Sequence, residues 1–480
     1  MIFSNVYNQL DARLFHRQGI DSLPNPQAGH FNTALAEQLQ WSDDEQKNWI
    51  KIINGEALPS NADPLAMVYA GHQFGHWAGQ LGDGRGLLIG QVLDKNQQRI
   101  DLHAKGAGKT PYSRMGDGRA VLRSTIREYL AGQALTGLHI ASSQAVGFVY
   151  SQDLKVWREQ LEPTAILLRT SDCHIRFGHF EWINQYQPSL LKDFTQHCLE
   201  YYYPDSLNQH NPIIHFAETV VKRYAYLVAQ WQLQGFGHGV LNTDNLNITA
   251  TTLDFGPFAF MERFKPNWIF NHSDHQGRYT YQNQPSIIHW NLWVWLNQLI
   301  PLLSEQDDIK ATITDILAQF EPAFLNDYQA GLCKKVGLPL HDEGSFQCAL
   351  DFLKILQIEQ LDYCTAFRWL TEQDYTSLHN QCLDLRQCDD FLKQYHAIRD
   401  AYSDEKDALL SDMQQHNPIY ILRNHMAQRA IELAYQDDLS EVNRLFQILQ
   451  NPFVTHKLAK DSDLQPVAKG QIEPAISCSS

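Results

Sequence analysis

An aspartate and an asparagine side by side, followed at short range by Asp-Phe-Gly, form the strongest chemical signal in this sequence. The run is His238-Gly239-Val240-Leu241-Asn242-Thr243-Asp244-Asn245, then Leu253-Asp254-Phe255-Gly256. Asp244 has the chemistry of a proton acceptor for an attacking hydroxyl. Asn245 and Asp254 offer the hard oxygen donors that Mg2+ or a similar divalent cation takes. The same residues also suit two Asx-rich turns, so their meaning depends on what accompanies them.

Several groups upstream belong to the same chemistry. Lys105 ends an alternating segment, and Glu128 follows on the next helical segment. A strand lysine paired with a helix glutamate is how kinase folds hold a lysine against nucleotide phosphates; a surface lysine and an exposed glutamate is the plainer alternative. Gly82 and Gly84 flank Asp83 before Arg85, and a second glycine turn holds Gly116, Asp117 and Gly118. Such turns let backbone amides approach an anion, and the second is expected at a helix start, where the dipole adds to the attraction. Arg169 and Arg176 could clamp a terminal phosphate through forked hydrogen bonds, or each could serve one salt bridge. Arg119, Arg123 and Arg127 recur every four residues and read as a solvated or ion-paired helix face. The segment Asn271–Tyr279, rich in His and Asp, fits no standard zinc spacing and reads as an ordered loop near the cleft. One departure from protein kinases is plain: Asp244 and Asn245 are adjacent, and no His-Arg-Asp triplet precedes them.

These groups need elements to hold them. Strand patterns occur at 87–92, 99–105, 144–151 and 165–169, with a helix at 119–138 that Asp117 would cap. Amphipathic helical patterns follow at 188–203, 213–234, 286–304, 308–319, 344–357, 418–436 and 440–450. A compact polar stretch, 236–285, interrupts them, and residues 1–60 read as an irregular extension with short helices. The expected fold is α+β and protein-kinase-like. It would have an extension and strand-containing N-lobe over 1–180 and a mostly helical C-lobe over 181–480.

Composition bounds the function. Of the 480 residues, 44% are hydrophobic and 19% charged, as in an ordinary globular protein. The net charge of −16 argues against a broad nucleic-acid surface while leaving room for a local basic pocket. No apolar run approaches the roughly 20 residues of a membrane helix, and no secretory pattern is visible. The eight cysteines form no CxxC pair, which points away from a zinc site or disulfide framework and towards a reducing cytoplasm.

Long ordered motifs resemble the SelO/YdiU family of protein adenylyltransferases. They are YAGHQFGHWAGQLGDGRG (69–86), KGAGKTPYSRMGDGRAVLRSTIRE (105–128), LRTSDCHIRFGHFE (168–181), GFGHGVLNTDN (235–245), LDFGPFAF (253–260), NHSDHQGRY (271–279) and NPIYILRNHMAQRAIE (417–432). The ending Ser477-Cys478-Ser479-Ser480 is also similar. The resemblance implies a kinase-like fold that binds ATP in a flipped orientation. AMP, or UMP from UTP, would pass to Ser, Thr or Tyr hydroxyls of proteins with loss of pyrophosphate. Carried over by motif, Gly82, Gly84, Arg85, Lys105, Asp117 and Gly118 would contact nucleotide. Lys105 would pair with Glu128, and Arg169 and Arg176 would hold the leaving phosphates. Asp244 would accept the proton, and Asn245 and Asp254 would hold Mg2+ or Mn2+. Some family members carry a cysteine just before NHSDHQG that could pair with the tail cysteine; here Phe270 stands there, so that pairing with Cys478 is not implied. Ordinary γ-phosphoryl transfer by a kinase is the alternative from the residues alone. A nucleotide-sensing scaffold is a third reading, against which the complete Lys–Glu, Asp–Asn and DFG set argues.

Overall fold

Alternating side chains in the first part of the chain sort onto the two faces of one antiparallel sheet. The computed structural model describes residues 1–303 and 308–467. The sheet has nine strands. Across it run β2 (Phe15–Arg17), β4 (Leu65–Met67), β7 (Gly86–Leu93), β8 (Arg99–Lys105), β11 (Leu161–Ser171), β10 (Gln144–Trp157) and β3 (Gln27–Phe31). In addition, β1 (Ile2–Phe3) pairs with β7 and β9 (Ala120–Val121) with β11. A separate hairpin joins β5 (Ala70–Gln73) to β6 (His76–Gln80).

Register decides which residues meet. Lys105 lies opposite Gly86 and Leu167, and His103 opposite Leu88 and Arg169. Directly opposed residues share a face, as do residues two apart along a strand. His103, Lys105 and Arg169 therefore stand together on one face. Their neighbours Leu102, Ala104, Ile166 and Leu168 point the other way, into a core shared with Leu35, Ala36, Ile52 and Ile53. Those last residues belong to α1 (Thr33–Gln38) and α3 (Trp49–Ile53), with α2 (Asp43–Lys47) between them. Residues 1–60 thus contain the expected short helices, but they also supply three strands and cover the back of the sheet. Strands of two to five residues are too short to show a period of their own.

The opposite face packs on α4 (Leu122–Gly137), where Leu122, Ile126, Tyr129 and Leu130 are all buried. The far side of α4 meets α16 (Asn424–Ala434) and α17 (Ser440–Gln450), so polar residues of this helix are buried too. Asp117 does not cap it. Val121 is the N-cap, because Ala120 and Val121 pair with β11 and stay extended, and the second glycine turn consequently lies ahead of the helix rather than at its start. The arginine stripe is corrected likewise. Arg119 precedes the helix, and buried Arg127 donates to the Phe258 carbonyl at 2.7 Å and lies over its ring; Arg119, paired with Asp21, and Arg123, paired with buried Glu162 at 2.8 Å, fit the ion-paired reading.

The rest of the described chain is helical. It begins with α5 (Phe177–Tyr186), α6 (Leu191–Tyr202) and α7 (Pro212–Leu233). Proline at the first position and the Asn211 side chain, which accepts from the Ile214 N–H at 3.2 Å, set the start of α7. After the polar stretch come α8 (Gln284–Gln298), α9 (Ile309–Ala318), α10 (Phe320–Val336), α11 (Ser345–Glu359) and α12 (Tyr363–Glu372). Then follow α13 (Tyr375–Gln381), α14 (Leu385–Ala401) and α15 (Lys406–His416). Helices α5, α10 and α12 to α15 are not marked by the sequence pattern. In α14 the buried stripe is only Cys388, Phe391 and Tyr395. The expected helix at 418–436 begins only at Asn424. Among the described residues no helix is long and apolar enough to cross a membrane. Seven cysteines are free and buried; Cys478 and its flanking serines lie outside the described residues. Phe270 is buried against Gly237, where a Cβ would strike its ring.

Arg423 is 1% exposed and grips Asp362 with two nitrogens, at 2.7 and 3.0 Å, while Asp362 caps α12. Arg423→Ala would leave that buried carboxylate without its counter-charge. The expected loss in urea unfolding is roughly 3–5 kcal/mol; a loss below about 1 kcal/mol, the range of an exposed pair, would show that the ion pair carries little stability.

Candidate active site

The sheet face bearing His103, Lys105 and Arg169 looks across a cavity of about 750 Å³ at the loops that follow α7. Gly82, Gly84, Arg85, Lys105, Asp117, Gly118, Arg169, Arg176, Asp244, Asn245 and Asp254 all line it. Glu128 stands behind Lys105, and the two side chains form a buried ion pair. Seven cationic side chains reach this one cavity, the others being Arg114, Arg119 and Arg158, on a chain whose net charge is −16.

Asp254 is the meeting point. Arg169 Nη1 lies 2.5 Å from Asp254 Oδ1 and 3.1 Å from Glu128 Oε1. Arg176 pairs with the other Asp254 oxygen and donates to the Asp244 carbonyl at 2.7 Å. Burial by itself would raise the Asp254 carboxyl, but Arg176, Arg169 and Lys105 outweigh it and hold it well below the usual carboxylate range. The Asp254 backbone has φ of +60°, a left-handed conformation that aspartate tolerates better than most residues. His238 Nε2, 2.8 Å from the Leu253 carbonyl, fixes the chain just before it. Burial lowers Lys105, and Glu128 opposes that shift.

Asp244 is 8% exposed. Gln73 Nε2 donates to its Oδ2 at 3.0 Å, and its Oδ1 has no hydrogen-bond partner among the described residues. Burial pushes the carboxyl up to about 6, against the pull of the Gln73 bond and Arg176. Asn245 Nδ2 donates to the Val240 carbonyl at 3.0 Å, which leaves Oδ1 as the free end of that amide. The loop at 271–279 buttresses this region. Asp274 accepts from the N–H groups of Arg278 and Tyr279, and the Tyr279 hydroxyl reaches Asn242 Oδ1 at 2.6 Å.

The two glycine turns touch the same structure. A Cβ at Gly82, whose φ is +144°, would come within 2.6 Å of the Tyr112 ring, and one at Gly118, φ +76°, within 2.2 Å of the Gly108 backbone. The Thr110 hydroxyl donates to the Asp83 carbonyl at 2.7 Å, and the Ser113 hydroxyl to that of Gly84. Arg158 holds Asp117 with two nitrogens at 2.7 and 2.8 Å.

Three participants were not read from the sequence: Gln73, His103 and Arg158. His103 Nδ1 accepts from Arg169 Nε at 3.3 Å, and its Nε2 lies 3.3 Å from Asp83. Burial and Arg169 push His103 down to about 3, so it stays neutral and can accept that bond. Arg158 sits at a hairpin end far along the chain from Asp117. Only the alternation that places His103 two residues before Lys105 could have flagged any of the three.

The donors suit a divalent cation. Mg2+ and Mn2+ use few protein ligands and complete their shells with phosphate oxygens and water, and Asn245 Oδ1 with the Asp254 carboxylate supplies such a set. Among the described residues no group of three or more His, Cys, Asp or Glu could hold a metal unaided. Arg176 Nε is buried without a partner among the described residues, a donor that a phosphate oxygen would satisfy. Chemically, the cleft can hold a polyphosphate beside a carboxylate of raised basicity.

Residues 2–450 match the family described as protein adenylyltransferase SelO. The chain is 41% identical over 443 residues to the protein nucleotidyltransferase YdiU of Pseudomonas fluorescens, covering 91% of this chain and 89% of that one. It is 41% identical to the protein of the same name from Cronobacter sakazakii, covering 88% of each. With that of Vibrio cholerae the identity is 39%, covering 95% of this chain and 94% of the other.

Two outcomes are expected from this geometry. Asp244 is raised from 3.8 to about 6, so the folded state holds its proton more tightly than the unfolded chain does. Its contribution to stability is full below pH 3.8 and is lost as pH rises through about 6. Asp244→Asn should then stabilise the nucleotide-free protein by up to about 3 kcal/mol at pH 8 and by little at pH 4. Equal unfolding free energies at both pH values would show that Asp244 ionises freely. Lys105→Ala and Glu128→Ala should each lower turnover, and the double variant should be little worse than the worse single one. Additive losses would show that the pair does not act as a unit.

Proposed function

The chain belongs to the SelO family of protein adenylyltransferases, and on that premise we propose that it moves AMP from ATP onto hydroxyl side chains of proteins, releasing pyrophosphate. Protein nucleotidyl transfer is the activity of the enzyme; the donor, the acceptor group and the residue roles are this proposal. We read the antiparallel sheet facing a helical part across the cleft as a kinase-like pair of lobes dividing near residue 180. The seven buried free cysteines suit a reducing cytoplasm.

The glycine turns, with Arg85, Lys105, Asp117 and Gly118, receive the nucleotide. Arg169 and Arg176 turn from Asp254 to the β- and γ-phosphates. Asn245 and Asp254 hold Mg2+ or Mn2+, which when bound neutralises charge on the triphosphate. Asp244 accepts the proton of the acceptor hydroxyl as that oxygen bonds to the α-phosphorus. The bond from the α-phosphorus to the bridging oxygen breaks, and pyrophosphate leaves with both electrons of that bond, its charge matched by the two guanidiniums. The proton passes from Asp244 to solvent. Positioning and electrostatics supply most of the rate, as in phosphoryl transfer generally.

The observation that carries AMP transfer over kinase chemistry is the convergence of Arg169 and Arg176 on one partly buried carboxylate, Asp254, with Lys105 near enough to help lower its pKa. The densest positive charge attracts the most highly charged end of the nucleotide, the terminal phosphates, and leaves the α-phosphate for the hydroxyl. With ATP and metal, label from the α-phosphate should become covalently attached to protein and label from the γ-phosphate should not, with Asp254→Ala as the blank. Incorporation of γ-label alone would replace this reading with a kinase.

A further inference from the structure

Three consecutive residues of one hairpin bond three consecutive residues of the loop that carries Asp244. The His72 N–H donates to Thr243 Oγ1 at 2.7 Å, Gln73 Nε2 to Asp244 Oδ2 at 3.0 Å, and the Phe74 N–H to Asn242 Oδ1 at 3.1 Å. The hairpin is itself anchored from below. His72 Nδ1 lies 2.6 Å from Glu181 on α5, and the Tyr279 hydroxyl accepts from the Phe74 N–H at 2.9 Å. Gly71 sits against the carboxylate, where a Cβ would come within 3.0 Å of Asp244 Oδ1. The outer two bonds are donated by backbone N–H groups and so do not depend on the hairpin's own side chains. The middle one is made by a side chain, and it is directed at the one carboxylate in the loop.

We infer that Gln73 is a positioning residue for the acceptor hydroxyl: by holding Asp244 Oδ2 it fixes the plane of the carboxylate that takes the hydroxyl's proton. The inference rests on the reading of Asp244 as the proton acceptor. An amide is well suited to the task. It donates one hydrogen bond without adding charge, so it orients the carboxylate without neutralising it as an arginine or lysine would. Asp244 Oδ1, buried with no donor among the described residues, keeps acceptor capacity for a group that arrives with substrate. The hairpin brings Gln73 to this place because β5 and β6 pair only with each other, and their strand ends are free to lie over the loop. Gln73 touches neither Lys105 nor Asp254 by any hydrogen bond, so its loss should leave nucleotide binding in place.

The test compares acceptors of different acidity. A tyrosine hydroxyl ionises near pKa 10 and depends less on a base than the far less acidic serine hydroxyl. The wild-type protein, Gln73→Met and Gln73→Asn are each given α-labelled ATP, metal and one of two pools of random peptides. One pool carries a single serine per peptide, the other a single tyrosine. Methionine keeps the length of glutamine and removes the donor; asparagine keeps the donor but falls short by one methylene, and provides a second variant should the first fold poorly. The expected result is a fall in kcat of at least about tenfold on the serine pool, a clearly smaller fall on the tyrosine pool, and unchanged KM for ATP and melting temperature. Unchanged kcat in both variants, or equal loss on both pools together with a raised KM for ATP, would overturn the role of Gln73 while leaving the nucleotidyl transfer intact. Absence of α-label on either pool with the wild-type protein would overturn both readings.

Discussion

Two arginines on one aspartate hold the cleft together. Arg169 comes from the sheet, Arg176 from the N-cap of α5, and Asp254 from the loop beyond α7; Glu128 and Lys105 extend the network to α4 and β8. Lys105, Glu128, Arg169 and Arg176 are nearly removed from water and Asp254 is partly so, and each depends on its partners. Removing one leaves another buried and uncompensated, which costs more than the intact pair contributes. The same dependence suits the network to exchange. In the proposed mechanism a triphosphate with its cation would bring both signs of charge and take over the arginines and the aspartate together.

Such a site solves a difficulty posed by the chain's composition. A protein of net charge −16 repels nucleotide polyphosphates at long range. Seven cationic side chains against four aspartates, Asp83, Asp117, Asp244 and Asp254, give the cavity lining a positive balance. Neutral His103 belongs to the arrangement. Kept uncharged by burial beside Arg169, it can accept a bond from that guanidinium without competing with phosphate for it.

The rigid parts lie behind the site. The first 60 residues close the back of the sheet, and α16 and α17 return to cover α4, so helix and sheet are packed on both sides. The loops facing the cavity are anchored in the core by Leu241, Leu246 and Phe255 and are further held by hydrogen bonds, from the 70–80 hairpin and from the loop at 271–279. A packed frame that positions hydrogen-bonded loops gives precision where charges meet.

Chemistry carried by residue type was legible in the sequence. Asp244 with Asn245, the Asp-Phe-Gly at 254–256, Lys105 with Glu128, the glycine turns and the two arginines could be named because few combinations of oxygen donors, cations and glycines suit a polyphosphate, and β8 announced itself by alternation. Helices with narrow apolar stripes, such as α14, did not. What only the tertiary structure decided was who meets whom. Strand register put His103 beside Arg169; pairing of Ala120 and Val121 with β11 delayed α4 and freed Asp117 for Arg158; the hairpin carried Gln73 to Asp244. These partners lie tens to more than a hundred residues apart along the chain, and no local period encodes such a distance. They are selected because a buried polar group must find a partner, and which partner is within reach depends on how all the other elements pack.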